Sequence, residues 1–518
     1  MARPASLADL RRWRRIERGE LPSPPAGAPS VALVYPNAYS VGMSSLGCQA
    51  TLALMRREGL GAERFFAFAP LQSVDAGRSI HRFSVVAFSV SFELDWLHVL
   101  QFLQAAKIPL RADQRQAHHP LILAGGLCVS LNRAPAWPFI DVFVHGEAEA
   151  VVPPLAAVLR RHGLGRAELL AHLGAIPGVE ITAGCARAYG LIQTGASGLR
   201  EGDESMALPS PPEAAILADL DEEPCVTRIF TPETEFADMA LIGLARGCPR
   251  RCSFCWIGHN APPYRVASRQ SVVWMAEWAM RFTDRIGLVA SAVGAHPEID
   301  AICADLGARG AKISFSSLRA EEVTPAMLQA LAASGQKSIT LAPEAGSQRL
   351  RRLLGKPLSD ERILEIVEWA LAHGILSIKL YFMTGLPTET EDEADEIVRF
   401  TQRARSCMTA GGKKSGAIGS LTVNLGLFTP KPNVPLLRLP EAAQLDFGAI
   451  SKRLKRLVRA LRRIPNTRVM ASSPELNGAQ GILSVGGLEA ADFLLEALAM
   501  GGDWRQAFRR RRAAGGGQ

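Results

Sequence analysis

The chain alternates short apolar runs with longer stretches of helical periodicity. In its first third, apolar runs typical of buried strands occur at 31–35, 85–92, 120–126 and 140–146. Helical stretches follow three of these runs. Strands that alternate with helices are joined by crossover connections, which predicts a parallel sheet. We therefore expect residues 31–160 to form one doubly wound α/β domain.

The alternation stops after residue 160 and resumes at 238. Six further runs predict strands, with the sequences MALIGLAR, RIGLVAS, AKISFSS, KSITLAP, LSIKLYFMTG and SLTVNLGLF. Helical stretches separate them, so residues 238–440 are expected to form a (βα)6 partial barrel. In barrels of this kind the chemistry lies at the C-terminal ends of the strands.

Three other segments complete the predicted organisation. Residues 1–30 are basic and then rich in proline, alanine and glycine, which indicates a basic lead-in arm. Residues 161–237 are irregular and rich in proline, glycine and acidic residues, which favours a linker. Residues 441–518 contain two basic helical stretches and are expected to form a small C-terminal helical extension.

The composition is that of a globular protein with two or three domains. The 518 residues are 48% hydrophobic and 21% charged. No window approaches the ~20 apolar residues of a membrane span, and the charged start lacks the apolar core of an export signal. We therefore expect a cytoplasmic protein with no membrane partner.

The net charge is +8, and arginines crowd both ends of the chain. Such runs can contact nucleic acid. Solvated termini are the favoured interpretation, because no basic stripe interleaved with aromatic residues accompanies the runs. The sequence therefore does not favour nucleic acid as a partner, and it does not exclude it.

Nine cysteines are present, and three of them lie within eight residues in the segment GLARGCPRRCSFCWIGHN. These are Cys248, Cys252 and Cys255, on the loop after the first predicted barrel strand. Three thiolates on one loop can each bind one iron of a cubane cluster and leave the fourth iron open. The alternative is a zinc site in which His259 completes a Cys3His tetrahedron. The six scattered cysteines are expected to be reduced thiols.

The spacing C-x3-C-x-aromatic-C resembles the signature of the radical S-adenosylmethionine (SAM) superfamily. The resemblance implies that Cys248, Cys252 and Cys255 hold a [4Fe-4S] cluster and that SAM chelates the open iron through its amino and carboxylate groups. One electron from a donor such as flavodoxin or ferredoxin then cleaves SAM and releases a 5′-deoxyadenosyl radical. The resemblance also implies that Phe254 lies near the adenine of SAM.

Polar side chains after the third and fourth predicted barrel strands suit the rest of SAM. Ser316, Ser317 and Arg319 offer hydroxyls and a guanidinium to its charged methionyl part. A helix cap with a surface arginine explains the same residues equally well. Glu344 offers a carboxylate to both ribose hydroxyls, whereas Ser347 is expected to cap the next helix.

The loop after the fifth predicted barrel strand is a further candidate contact with SAM. Gly385 and Pro387 are expected to lie against the ligand, because glycine permits close approach of the backbone. Thr388 with Glu391 matches a capping box for the following helix. Thr388 and Glu389 are therefore equally explained as structural residues.

Several motifs together resemble one branch of this superfamily: SSLR, APEAGSQRLR, KLYFMTGLPTET and PKP. That branch carries an N-terminal Rossmann-like domain of the cobalamin (B12)-binding type, so cobalamin is a predicted cofactor. Gly125 and Gly126 would let its nucleotide tail approach the backbone. The loop 36–43 lacks the usual histidine, so bound cobalt would have no protein histidine on its lower face. The alternative is a relic domain whose glycines serve tight turns.

We predict a radical SAM enzyme that reductively cleaves SAM at its cluster, with cobalamin for methyl transfer to, or rearrangement of, an unknown substrate. One alternative is a methylthiotransferase acting on tRNA or protein, which needs a second cluster, although the first domain offers only Cys48 and Cys128. Another is a non-enzymatic iron–sulfur or zinc-binding module. No catalytic residue is assigned. Surface placement explains four polar residues near predicted strand ends at least as well as function: Glu93, Asp95, His296 and Glu298.

Overall fold

The computed structural model describes residues 4–191, 208–316, 318–415 and 419–514. The chain divides into two compact units. The first consists of Met1–Ala218, Cys225–Asp238 and Ile482–Ala507, and the second of Asp219–Pro224, Met239–Gly481 and Phe508–Gln518. Across the described ranges, no helix is both long and apolar enough to cross a bilayer.

The first unit is built on a six-stranded sheet. The strands of this unit in chain order are β1 (Arg18–Gly19), β2 (Ser30–Tyr35), β3 (Gly61–Phe66), β4 (Val85–Ser89), β5 (Leu121–Gly125), β6 (Val142–Val144), β7 (Val179–Ile181) and β8 (Ile229–Phe230). The order across the sheet is β3-β2-β4-β5-β6-β7, and β1 pairs with β8 apart from it. All neighbours are parallel except β6 and β7. The predicted doubly wound α/β fold is confirmed.

Helices alternate with these strands. They span Leu7–Ile16, Tyr39–Met43, Leu46–Arg57, Asp95–Ala105, Leu127–Leu131, Ala148–Leu159, Arg166–Gly174 and Ala183–Ala188. The central strand β2, SVALVY, is almost wholly buried, as expected for a parallel strand covered on both faces. The predicted linker 161–237 contains the last two of these helices and strands β7 and β8, and its residues 192–207 lie outside the described part of the chain.

Strand β3 is missing from the predicted strands because Glu63 and Arg64 interrupt its apolar run, yet all its residues are buried. Arg64 lies 2.8 Å from Glu17 and 3.0 Å from Asp75, and Arg56 lies 3.0 Å from the same Asp75 carboxylate. Burial alone would raise the pKa of Asp75, but the two guanidinium groups outweigh it and hold that pKa below its usual value. Arg64 is therefore the centre of a buried ion-pair network.

Residues 482–507 complete the first unit. Asn132 donates through Nδ2 to the carbonyl oxygens of Leu483 at 3.0 Å and Gly486 at 2.8 Å. The helix Ala490–Ala499 packs on the helix that follows β4. The first unit is therefore built from both ends of the sequence.

Glu93 and Asp95, which surface placement explains from sequence at least as well as function does, are both buried in this unit. Glu93 is 4% exposed and accepts a hydrogen bond from Ser484 at 2.8 Å. Asp95 is 2% exposed and lies 2.9 Å from Asn37 Nδ2 and 3.0 Å from His98 Nδ1. The surface interpretation of both is wrong, because each carboxylate has polar partners that offset the cost of burial.

The second unit contains two parallel sheets and a short hairpin. Its strands in chain order are β9 (Ala240–Gly243), β10 (Ala245–Arg246), β11 (Arg265–Val266), β12 (Arg285–Val289), β13 (Lys312–Phe315), β14 (Ser338–Glu344), β15 (Ser377–Thr384), β16 (Ser420–Leu427) and β17 (Thr467–Ala471). The sheet orders are β13-β12-β9 and β14-β15-β16-β17, and a parallel bridge joins Leu318 to Leu341. The six predicted barrel strands are all present, so the partial barrel is confirmed. Strand β17 adds to it from the segment expected to be helical.

The helices of the second unit fill the connections between the barrel strands. They span Ile257–Asn260, Arg269–Ala279, Ile299–Ala308, Pro325–Ala333, Gln348–Leu353, Asp360–Ala372, Glu391–Ser415 and Phe447–Leu461. Two further helices of the C-terminal region are Pro474–Val485 and Trp504–Ala514. Each βα connection returns the chain to the same end of the sheet, so the loops after the strands gather at one edge.

Candidate cluster-binding site

The three clustered cysteines lie on the loop between β10 and β11. These strands pair antiparallel, so the loop leaves and returns at neighbouring positions. Gly247, just before Cys248, has φ +70°, and a Cβ there would lie 2.5 Å from the carbonyl oxygen of Pro262. Only glycine fits that position. Cys252 is buried, whereas Cys248 and Cys255 are partly exposed.

Backbone hydrogen bonds fix the second half of this loop. The Cys255 amide donates to the Cys252 carbonyl at 3.0 Å, which closes a tight turn. Ser253 at its centre donates through its amide to Leu354 at 3.1 Å and accepts from the Leu436 amide at 2.9 Å. The turn between these two cysteines is therefore held from two sides of the barrel mouth.

Phe254 anchors the same turn through apolar contact. It packs on a cluster at the C-terminal ends of the second sheet, formed by Ala345, Leu350, Leu354, Leu386, Phe428 and Leu436. The cluster orients the aromatic residue of the C-x-aromatic-C segment. Its placement near an adenine stays a prediction.

Arg319 brings a positive charge to the cysteine loop. Its Nη1 donates to Cys252 Sγ at 3.3 Å, and its Nη2 donates to Glu321 at 2.9 Å. Glu322, also buried, lies 3.6 Å from Arg319 Nε and accepts from Arg250 at 2.7 Å. Burial alone would lower the pKa of Arg319, but Glu321 and Cys252 outweigh it and raise that pKa. The guanidinium is thus held as a cation beside a sulfur.

The donor set suits an iron–sulfur cluster better than one metal ion. Thiolates that bind different irons of a cubane need not converge on one point, whereas a zinc tetrahedron requires convergence. In the part of the chain that the structure describes, no three His, Cys, Asp or Glu side chains gather around a single ion position. His259, the fourth ligand of the zinc alternative, has its Nε2 3.1 Å from the Cys252 carbonyl oxygen.

Burial and the neighbouring thiols favour the protonated form of the free Cys248 side chain. Burial raises its pKa, and the neighbouring Cys255 and Cys252 add to the rise, although a hydrogen bond from the Arg250 amide opposes it. Metal ligation requires the thiolate, so loading a cluster at this loop releases protons.

Glu344 lies at the end of β14 in an unusual conformation. Its φ is +69°, next to a register shift between β14 and β15. Buried Lys356 donates to its Oε1 at 2.7 Å and to the Ala342 carbonyl at 3.0 Å. Lys356, a site residue that the sequence motifs do not indicate, therefore holds this carboxylate at the strand end. Contact with a ribose stays a prediction.

The other predicted methionyl contacts are less defined. Ser316 is exposed and donates to the Ala290 carbonyl at 3.4 Å. Ser317 lies outside the described residues. Ser347 caps the helix Gln348–Leu353 by accepting from the Leu350 amide at 3.1 Å, and the expectation for it is confirmed.

Hydrogen bonds to the Glu389 carboxylate fix the loop that contains Gly385 and Pro387. Glu389 Oε2 accepts from the Gly385 amide at 2.6 Å, from Thr384 Oγ1 at 2.9 Å and from Arg453 at 2.8 Å. Gly385 has φ +83°, and a Cβ there would lie 2.8 Å from the Ile450 side chain. Burial raises the pKa of Glu389, although these donors oppose the rise. The structural interpretation of Glu389 accounts for its contacts.

The predicted capping box lies two residues too early in the sequence. Thr388 has φ +64° and lies outside the helix Glu391–Ser415. The reciprocal bonds instead join Thr390 and Glu393: each backbone amide donates to the other side chain at 3.2 Å. The sequence TETEDE allows either pairing. The left-handed conformation of Thr388 places it outside the helix, so the pairing of Thr390 with Glu393 forms.

His296 and Glu298, which surface placement explains from sequence at least as well as function does, differ in outcome. His296 is 3% exposed, with Nε2 2.9 Å from the Ala267 carbonyl and Nδ1 accepting from the Glu298 amide at 3.1 Å. Both ring nitrogens are used structurally, so the surface interpretation is wrong for His296. It is confirmed for Glu298, which is exposed.

Gly125 and Gly126 lie at the C-terminal edge of the first sheet. Gly126 has φ +102°, and a Cβ there would lie 2.6 Å from the Val90 carbonyl oxygen. A tight turn against the neighbouring loop therefore explains Gly126. At Gly125 a Cβ would meet only Val144 at ordinary contact distance, 3.6 Å. The nearby segment 36–43 is partly helical and contains no histidine.

A parallel partial barrel that carries three free cysteines on the loop after its first strand defines a class of iron–sulfur enzymes. Family comparison agrees with this geometry. Residues 55–181 match the family described as radical SAM proteins, N-terminal, and residues 242–401 match the radical SAM superfamily. The chain belongs to the radical SAM superfamily and is an enzyme that uses a [4Fe-4S] cluster and SAM. The hypothesis of a non-enzymatic module is not supported.

Curated relatives match this chain in sequence to different extents. The uncharacterized protein MJ0966 of Methanocaldococcus jannaschii is 26% identical over 440 residues, which is 84% of each chain. The ribosomal protein uS12 methylthiotransferase RimO of a Synechococcus strain is 25% identical over 221 residues, 40% of this chain and 43% of its own length. The similarity to the methylthiotransferase is therefore partial, and that alternative is not favoured.

A solved structure shares the fold of both units. Apo OxsB, a cobalamin-dependent SAM radical enzyme, aligns with 93% of this chain and 72% of its own, at a TM-score of 0.52 and 14% sequence identity. With aqua-cobalamin bound, OxsB aligns over 73% of this chain and 52% of its own, at a TM-score of 0.51 and 17% identity. The likeness supports a Rossmann-like domain followed by a partial barrel.

Proposed function

We propose that Cys248, Cys252 and Cys255 hold the cluster of this radical SAM enzyme and that SAM binds beside them at the barrel mouth. The observation that carries the proposal is the loop itself: three free thiols within eight residues, with the Arg319 cation 3.3 Å from one of the sulfurs. A one-electron donor of the flavodoxin or ferredoxin type in the cytoplasm is the proposed reductant.

The residues around the loop have distinct proposed roles. When bound, the cluster supplies the electron that cleaves the sulfonium of SAM. Arg319 offsets the negative charge of the cluster, while Phe254 and its apolar neighbours exclude water from one side of the loop. Ser316, Glu344, Gly385 and Pro387 are the proposed contacts to the methionyl, ribose and adenine parts of SAM.

Cobalamin is the second proposed cofactor, held at the C-terminal edge of the first sheet. The fold of the first unit supports it, and so does Gly125, whose side-chain position is open to close approach. The fit is incomplete because segment 36–43 offers no histidine and the Gly126 position is filled by the Val90 backbone. The proposed reactions are methyl transfer to, or rearrangement of, a substrate that is still to be identified.

Anaerobic purification with metal analysis and a SAM-cleavage assay tests these proposals. We expect about four iron atoms per chain and, with dithionite, release of 5′-deoxyadenosine or S-adenosylhomocysteine. Cobalt in the same analysis would support cobalamin. About eight iron atoms would favour a methylthiotransferase, and a colourless protein with one zinc would reject the cluster.

Arg319→Gln should make the cluster harder to reduce. Reduction adds an electron beside Cys252, and a nearby cation favours the reduced form, so its removal is expected to shift the midpoint potential downward by tens of millivolts. Redox titration followed by electron paramagnetic resonance measures the shift. Arg269→Gln, which removes an exposed cation paired with Asp305, is the matched control and should leave the potential unchanged. Equal potentials in all three proteins would reject this role.

A further inference from the structure

The sheet β14-β15-β16-β17 has one face that is polar and open. Along β14, β15 and β16, buried residues alternate strictly with partly or fully exposed ones. The buried side chains include Ile378, Leu380 and Phe382, and the helix Phe447–Leu461 contacts β15, β16 and β17. In a partial barrel the face opposite the helices lines the interior, so this open face is a place for a ligand.

Strand register arranges the side chains of this face in two rows. The first row contains Thr340, Lys379, Thr422 and Arg468, which are successive pairing partners across the four strands. The second row, two residues closer to the C-terminal ends, contains Tyr381, Asn424 and Met470. Adjacent parallel strands are about 4.8 Å apart, so the two cations of the first row stand roughly 10 Å apart at their Cα atoms.

The charges of the first row have no ion-pair partner among the residues that the structure describes. Arg468 is exposed and Lys379 is partly exposed, and no acidic side chain of the described residues forms an ion pair with either. Neither row contains an acidic residue. Both side chains are long and flexible enough to meet over Thr422, which lies between them and adds a hydroxyl.

The second row presents exposed apolar surface beside these charges. Tyr381 is 43% exposed and Met470 is 50% exposed, and both are unusually open for large side chains of a parallel sheet. Asn424 lies between them and offers an amide. Rows along a strand are about 7 Å apart, so one ligand can contact both rows and still extend toward the strand ends at Glu344 and Gly385.

We propose that this face binds the substrate and that the substrate is an elongated anion. Its phosphate or carboxylate group lies between Lys379 and Arg468 over Thr422, and a planar or apolar part lies on Tyr381 and Met470. Its far end reaches the C-terminal edge of the sheet. The assignment of this anion as substrate rests on the proposed function, because that function places SAM at the same edge.

Calorimetric titration of the cluster-loaded protein under anaerobic conditions tests the proposal. The probes are phenyl phosphate and benzoate, which distinguish the two anionic groups, and benzyl alcohol as the neutral analogue. We expect at least one of the two anions to bind and benzyl alcohol not to bind measurably. Lys379→Gln and Arg468→Gln should each weaken that binding about tenfold or more, as loss of a charge-assisted hydrogen bond does.

Three further variants make the result specific. Lys379→Arg should largely restore binding, since it keeps the charge. Tyr381→Ala should weaken phenyl phosphate binding while leaving inorganic phosphate binding unchanged. Arg459→Gln, which removes an exposed cation on the helix Phe447–Leu461, is the matched control and should bind like the wild type. Absence of anion binding, or equal loss in the Arg459 variant, would overturn the proposal.

The outcome is separable from that of the proposed function. Uncoupled cleavage of SAM with dithionite, measured on the wild-type protein without substrate, reports the proposed function by itself. The same titrations on protein without iron report the anion site alone. Failure of SAM cleavage with charge-dependent anion binding intact would reject the proposed function and the substrate assignment but keep the anion site. Intact SAM cleavage without anion binding would reject the anion site and keep the proposed function.

Discussion

Replacing Cys255 with alanine abolishes the iron–sulfur absorption and the SAM cleavage of the reconstituted protein. Two thiolates, those of Cys248 and Cys252, would remain for three irons of the cluster. The turn that joins Cys252 to Cys255 presents no substitute ligand, because the neighbouring Ser253 hydroxyl is bonded to the Leu353 carbonyl at 2.8 Å. Complete loss of activity is therefore expected. Iron analysis, visible absorption and assay of 5′-deoxyadenosine measure it.

Cys407→Ser is the matched control for this variant. Cys407 is a partly buried free cysteine on the helix Glu391–Ser415, with its sulfur 3.7 Å from a Glu368 carboxylate oxygen. The control should keep full iron content and activity. A Cys255→Ala protein with an undiminished cluster spectrum would contradict the assignment of the ligands.

Arg64→Met should destabilise the first unit by about 3–5 kcal/mol, because it leaves two buried carboxylates without their shared cation. Glu17 and Asp75 are each about one-tenth exposed, and both lie within 3.0 Å of the guanidinium. The helix Leu7–Ile16, which immediately precedes Glu17, should loosen with them. Urea denaturation followed by circular dichroism measures the change in free energy of unfolding.

Arg111→Met provides the comparison in the same unit. Arg111 pairs with Asp113 at 3.3 Å, and both side chains are more than one-third exposed, so its loss should cost only about 0–1 kcal/mol. Equal losses of unfolding free energy in the two variants would show that the buried Arg64 network adds no more stability than an exposed ion pair.

Acid titration gives an independent readout of the same network. The folded pKa of Asp75 lies below its ordinary value of 3.8, so its ionised form contributes stability above that pH. This contribution is lost as the pH falls from 3.8 through the lowered folded pKa. The wild type should therefore lose stability on acidification, and Arg64→Met should lose less over the same interval.

The pattern of apolar residues predicts all six barrel strands and four strands of the first sheet, including strands such as β15 in which polar residues interrupt the apolar ones. It does not predict β3, whose Glu63 and Arg64 are buried as ion pairs, or β17, whose residues are mostly exposed. Both depend on partners distant in sequence, which periodicity does not report.

The sequence predicts only the part of the candidate site that lies in the cysteine motif. Cysteine spacing marks the loop, and the structure adds what holds it: Gly247, the apolar cluster around Phe254, and the cation of Arg319. Arg319 lies 67 positions from Cys252 in sequence. Its contact with that sulfur depends on barrel closure, and no local pattern reports it. The same is true of the two rows on the open sheet face, which exist only through strand register.

The C-terminal completion of the first unit bears on how the chain matures on the ribosome. Residues 482–507, which engage Asn132 and Glu93, emerge only after the entire barrel sequence has been translated. The first unit therefore remains incomplete, with part of its apolar surface uncovered, while some 240 intervening residues, Met239–Gly481, are synthesised. The barrel has its cysteine loop available during that interval, so insertion of iron and sulfide can precede completion of the domain that comes first in sequence.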